Sequence, residues 1–281
     1  MNEQGEKPKA RWLSEAEVTE RAIRQEAEKG AGLEAIRQLC NGTPEAISML
    51  ARRVVVEGEN LGGGKRAPRT TLGGYDEQDI HGNVAGSKAG RIATETLHEL
   101  FPAAKILTNS TTPRRDAETG ETEIERHADV AKAELVQKGV PAGLIEVQEH
   151  SMSTFTELLE LIQRIVENDW HHVVVVGHEL QKQRALLMLD RLYELLPKEP
   201  SGYIERHPDK ENLKKALDAF KDARKDITIT FVSAEDVLSL KDPRYKEVVE
   251  KARQSPAWEK MRANEERGAD QIRSGVYWAK K

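Results

Sequence analysis

Two short polar clusters carry the side chains best suited to chemistry. Gly177-His178-Glu179 follows four consecutive valines, Val173 to Val176, and Arg184 lies one turn into the next helix. An imidazole just beyond a strand can exchange a proton near neutral pH, which makes His178 the candidate acid/base. A guanidinium one turn into a helix points back toward the same rim and can neutralise an anion; a surface ion pair explains Arg184 equally well. The second cluster, Glu149-His150-Ser151-Met152-Ser153-Thr154, follows the short run Ile145-Glu146-Val147. Ser151, Ser153 and the free amides of the next helix suit an anionic or polar ligand. Thr154-Phe155-Thr156-Glu157 also reads as a capping box, with Thr154 as N-cap and Glu157 at N3.

Other segments invite chemistry and lack part of what it needs. Gly62-Gly63-Gly64-Lys65-Arg66 resembles a phosphate loop, but Glu59 stands where that motif has its first glycine, and Arg66 replaces the Ser or Thr that holds Mg²⁺. A plain loop and a looser anion cradle, with Lys65, Arg66 and Arg69, both remain open. Asp76-Glu77-Gln78-Asp79-Ile80-His81-Gly82-Asn83 collects hard oxygens and one imidazole without the spacing of a metal motif, so no metal ligand is assigned. There is no Gly-x-Ser-x-Gly elbow, and Gly58-Glu59-Asn60-Leu61-Gly62 lacks the dinucleotide spacing. Cys40 has no histidine near it in sequence, which argues against a nucleophilic cysteine, and the sequence leaves any cofactor unidentified.

These residues need a scaffold, and the apolar pattern supplies one. Short runs at Arg53–Glu57, Lys105–Thr108, Ile145–Val147, Val173–Val176 and Ile227–Val232 read as five strands. Helical patterns at 87–100, 122–138, 154–166 and 180–196 fall between them, with another at 209–221. Strand–helix alternation of this kind predicts an α/β fold: a doubly wound, mainly parallel five-stranded Rossmann-like sheet at 50–240. A helical N-terminal extension covers 1–49, with capping signals at Ser14 and a helix start at Thr43-Pro44. A helical tail covers 241–281, with Trp258, Tyr277 and Trp278 as anchors that pack on the core or on a second subunit.

Bulk properties narrow the function classes. The net charge of -5 gives no basic face for nucleic acid. A single cysteine among 281 residues excludes an internal disulfide. The N-terminus lacks the apolar core of a signal peptide, and no run reaches the ~18 apolar residues of a membrane span. A cytoplasmic protein is the default.

The order of elements resembles the YdcF/SanA/ElyC-like family, a bacterial Rossmann-like domain of unknown function. The resemblance runs through Val54-Val55-Val56-Glu57-Gly58, Gly90-Arg91-Ile92-Ala93, Phe101-Pro102-Ala103-Ala104-Lys105-Ile106-Leu107, Gly139-Val140-Pro141, Glu149, Ser151 to Thr154, and Arg184-Ala185. The chain departs from the family pattern at Asn109-Ser110, His127-Ala128, Thr154 to Glu157 and Gln181, which marks a divergent member. Together with the general rule for open sheets, this places a site at the carboxyl ends of the first and fourth strands. Gly58, Glu59 and Asn60 would wall one side and Gly177, His178 and Glu179 the other. Thr108, Asn109, Ser151, Ser153 and Thr154 would add polar contacts, with Arg91 and Arg184 as anion clamps. The expected ligand is a small polar or phosphate-bearing, nucleotide-like metabolite, with hydrolase or transferase chemistry open. The alternative is a non-catalytic interaction protein that uses its helical ends and keeps a vestigial pocket.

Overall fold

The computed structural model describes residues 30–51, 87–109, 114–115, 122–124 and 127–278. Within them lie five parallel strands: β1 (Ala46–Met49), β2 (Lys105–Asn109), β5 (Ile145–Gln148), β6 (His172–Gly177) and β7 (Thr228–Ser233). Their order in the sheet is β5-β2-β1-β6-β7, so the chain winds outward in one direction from β1, returns, and winds out in the other. Ile47 faces Ile106 on one side and Val174 on the other, which fixes β1 at the centre. A separate two-stranded antiparallel ribbon pairs β3 (Arg114–Arg115) with β4 (Thr122–Ile124). The fold is therefore α/β and doubly wound.

A strand covered on both faces has no polar side, which explains the valine run. Val173 and Val175 join one apolar cluster, with Phe155, Leu158 and Ile162 of α4 (Thr154–Glu167) and Leu213 and Phe220 of α8 (Lys210–Ala223). Val174 and Val176 join the other, with Ile36 of α1 (30–39), Ile92 and Leu97 of α2 (Ser87–Leu100), Val237 of α9 (Ala234–Lys241), Val249 of α10 (Pro243–Arg253) and Trp258 of α11 (Pro256–Arg273). Below the sheet's β5 edge, α3 (His127–Gln137) closes over Ile106 and Ile145 through Leu135. Gly139 ends α3 at φ 92, a conformation that L side chains resist. The C-terminal helices pack back on the core, burying Trp258 and Ile272 completely.

Several expectations shift. Thr43-Pro44 starts no helix; the segment enters β1, whose four residues are all buried. Ala and Met are good helix formers, but propensity is outweighed by tertiary context, and burial between two neighbouring strands overrides it here. Val54–Val56, expected as the first strand, lies outside the described residues, as do the glycine loop and the acidic loop. Thr122 does not cap a helix: Thr122–Ile124 is the strand β4, and α3 begins at His127. The single helix expected at 180–196 is a 3₁₀ turn at Glu179–Gln181, then α5 (Lys182–Asp190) and the short α6 (Leu192–Leu195). Among the described residues no helix is long and apolar enough to cross a membrane.

Candidate functional site

The strand order reverses between β1 and β6, and His178 does sit there, directly after β6. It is 2% exposed. Its Nδ1 accepts the Leu180 N–H at 3.1 Å, which caps the 3₁₀ turn and leaves the proton on Nε2. Nε2 faces Glu235 Oε1 at 3.5 Å, and the ring lies 4.7 Å from that of Trp258. Glu235 also accepts the Glu179 N–H at 2.9 Å and the Ser233 hydroxyl at 3.1 Å. Glu179 is bound in turn by Arg253, which also reaches Asp236. Gly177 is where β6 passes Phe231: a Cβ there would come within 2.6 Å of that ring. The space left beside Gly90, Gly177, His178 and Glu235 amounts to about 10 Å³. His178 thus joins the end of β6 to α9 and α11, and the described residues immediately around it leave no ligand-sized space.

The two arginines expected as anion clamps are spent on carboxylates. Arg184 donates from Nε to Glu265 at 2.5 Å and from Nη2 at 3.2 Å, with Tyr277 OH 3.5 Å from Nη1. Burial alone would lower its pKa, but Glu265 and Tyr277 raise it overall. Arg91 is buried on α2 between Glu95 and Glu134. Thr108 bonds the Glu146 carbonyl at 3.4 Å. Ser153, not Thr154, caps α4: its side chain accepts from Thr156 N–H, and Thr156, not Glu157, reaches back to complete the box. Ser153 therefore has a structural task, Thr154 is simply the first residue of α4, and Ser151 is buried just before the cap. Gly58, Glu59 and Asn60 lie outside the described residues.

Asn109 is more informative. Its Nδ2 donates to Ser48 Oγ at 3.1 Å and to the Met49 carbonyl at 2.9 Å, tying the ends of β2 and β1 together. Its own carbonyl accepts from His127 Nδ1 at 3.0 Å. Its buried Oδ1 has no partner among the described residues. Across the register, Asn109 pairs with Gln148 at the end of β5, and Gln148 leaves more undone. It is 1% exposed, and neither Oε1 nor Nε2 has a partner among the described residues. Glu146, two residues earlier on the same face, meets Arg164 of α4, so the pleat turns Gln148 toward α4 as well.

There it lines a recess of about 260 Å³, together with His150, Glu160, Gln163, Arg164, His207 and Asp209. The His150 and His207 rings meet edge to face at 5.3 Å, and Tyr203 lies 5.5 Å from His207. His207 Nδ1 accepts the Asp209 N–H at 3.2 Å. Burial, then the neighbouring His150, holds the His207 pKa below its ordinary value. Glu160 is buried and accepts the Tyr203 hydroxyl. Its carboxyl is pushed above the usual range because burial outweighs the opposing pull of Tyr203, Arg164 and the amides of His150 and Ser151. Gln163 bridges Glu167 at 2.7 Å and Asp209 at 3.3 Å. The recess combines a carboxyl whose pKa is raised by burial, the His207 imidazole whose pKa is lowered, and an amide with open hydrogen bonds among the described residues. That set can hold a polar molecule and move a proton.

Gln148, Glu160, Gln163 and His207 escape the sequence reading, and His150, though part of its second cluster, is given no role there. The available signal was the i, i+3, i+6 series Glu157, Glu160, Gln163 along an otherwise apolar helix, which reads as a solvent-facing stripe; all three side chains are buried. Among the described residues no group of three His, Cys, Asp or Glu is placed to hold a metal. Cys40 is buried, and burial pushes its thiol up to about 11, an unreactive value. No family model, curated protein or solved structure matches this chain. The YdcF-like resemblance therefore rests on the order of its motifs.

Proposed function

We propose that this chain binds a small polar, nucleotide-like metabolite at the C-terminal edge of its sheet, in the recess between β5, α4 and the His207–Asp209 turn. The observation that carries this is Gln148: an amide buried to 1% exposure with both polar atoms unpartnered among the described residues, lining a recess of ligand size. Such a group costs ~1–3 kcal/mol of stability, a cost that a ligand supplying the missing hydrogen bonds would offset. Glu160, buried against Tyr203 with its pKa raised by burial, is the site's candidate general acid if the chemistry is hydrolase- or transferase-like. The lone buried cysteine suits a cytoplasmic setting.

A second reading, a non-catalytic interaction protein, is favoured by one observation: His178, Glu235 and Trp258 occupy the crevice where the strand order reverses. A thermal-shift screen of small polar metabolites on the wild type and Gln148→Leu separates the two. A shift present in the first and absent in the second supports the recess. No shift across the panel moves the weight to the interaction protein.

A further inference from the structure

Building on the recess reading, we infer that the part of the ligand it grips is a planar nitrogen heterocycle with a hydrogen-bond donor beside an acceptor, as on the 6-aminopurine edge. The open groups of Gln148 are one donor and one acceptor on a flat amide. Their complement is another flat edge with acceptor and donor side by side, the geometry in which glutamine grips N6 and N7 of adenine. Three rings, His150, His207 and Tyr203, form a strip within or against the same recess, with neighbouring centroids 5.3 and 5.5 Å apart. His150 and His207 both line the recess and stand edge to face, at 87°, so a planar ligand can stack on the face of one ring while meeting the edge of the other.

Charge argues against phosphate at this spot. Among the described lining residues Arg164 carries the only fixed positive charge, and Glu146 and Glu167 already hold it. Glu149, Glu160 and Asp209 line the same space. At about 260 Å³ the recess is just below the ~300 Å³ where ordinary ligand sites begin. It admits one ring system and leaves any sugar or phosphate outside.

The test is equilibrium dialysis of the full chain against adenine, purine, ribose and inorganic phosphate, repeated with Gln148→Leu. Adenine should bind, purine, which lacks the exocyclic amine, about tenfold or more weakly, and ribose and phosphate not measurably. Gln148→Leu should lose adenine. Equal binding of adenine and purine overturns the inference on the wild type alone, whether or not the variant folds. Ribose or phosphate binding that disappears in Gln148→Leu, with no adenine binding, overturns the heterocycle and keeps the recess. No binding of any probe overturns the heterocycle, and adenine binding that survives in folded Gln148→Leu overturns both.

Discussion

Two ends of the same sheet hold histidines, carboxylates and an arginine, yet they are built to opposite ends. Where β1 meets β6, the polar groups face inward on one another: Leu180 N–H to His178, the Glu179 amide and the Ser233 hydroxyl to Glu235, Arg253 to Glu179. Among the described residues about 10 Å³ remains beside them. At the β5 edge the recess is about 26 times larger by the ratio of the two volumes, and the buried Gln148 amide faces it without a partner among the described residues. A polar side chain satisfied by its own fold stabilises; one left open calls for an explanation, and the one proposed for Gln148 is a ligand. Residue type alone does not distinguish the two.

Substitutions can break this contrast from either side. The largest effect belongs to the packed end. Trp258→Ala removes a side chain with no exposed surface that lies against His178, and should cost ~3–5 kcal/mol in urea unfolding. A loss under ~1 kcal/mol would mean that this end is looser than described. Arg184→Ala should cost less, ~2–4 kcal/mol. It strands Glu265, but both side chains keep some solvent contact. If Arg184 were an anion clamp instead, stability would hold and ligand binding would fall.

The third effect is read in pH. Glu160 has its folded pKa raised, so the folded state holds its proton longer than the unfolded chain does. Its contribution is fully present below the ordinary glutamate value of 4.5 and is lost as pH rises through the higher folded value. Wild-type stability relative to Glu160→Gln should therefore fall as pH rises across that window, by about a kcal/mol for each unit the folded pKa is raised. His207, with its pKa lowered, adds the opposite slope below 6.5, losing stability as pH falls through its folded value. A flat Glu160→Gln difference would show that the carboxyl is solvated and that the recess lacks its acid.

The smallest effect is the most diagnostic in sign. Gln148→Leu should be neutral or up to ~1 kcal/mol more stable, because it deletes a buried amide with no partner among the described residues. Destabilisation beyond ~1 kcal/mol would show that the amide is satisfied and would remove the contrast.

Much of the scaffold was legible in the sequence. Four of the five expected strands stand where the apolar runs put them, because runs such as Val173–Val176 and Ile227–Val232 are too β-branched to read otherwise. The central strand was missed: Ala46-Ile47-Ser48-Met49 is short, and its fitness as a strand comes only from the neighbours that cover it. The site was less legible than the scaffold. His178 and Arg184 have the right types and spacing for chemistry, but their partners, Glu235 and Glu265, lie 57 and 81 residues away in sequence. The recess is assembled from the end of β5, the middle of α4 and a turn near residue 207. Only the fold brings the pieces together, and no local motif announces them.

The central claim is that the open end of the sheet at β5, and not the filled end at β6, receives the ligand. The direct test is an amide chemical-shift map of the full chain titrated with adenine. The account predicts shifts centred on Gln148, His150, Gln163 and His207. Shifts centred on Gly177, His178 and Glu235, or none at all, would contradict it.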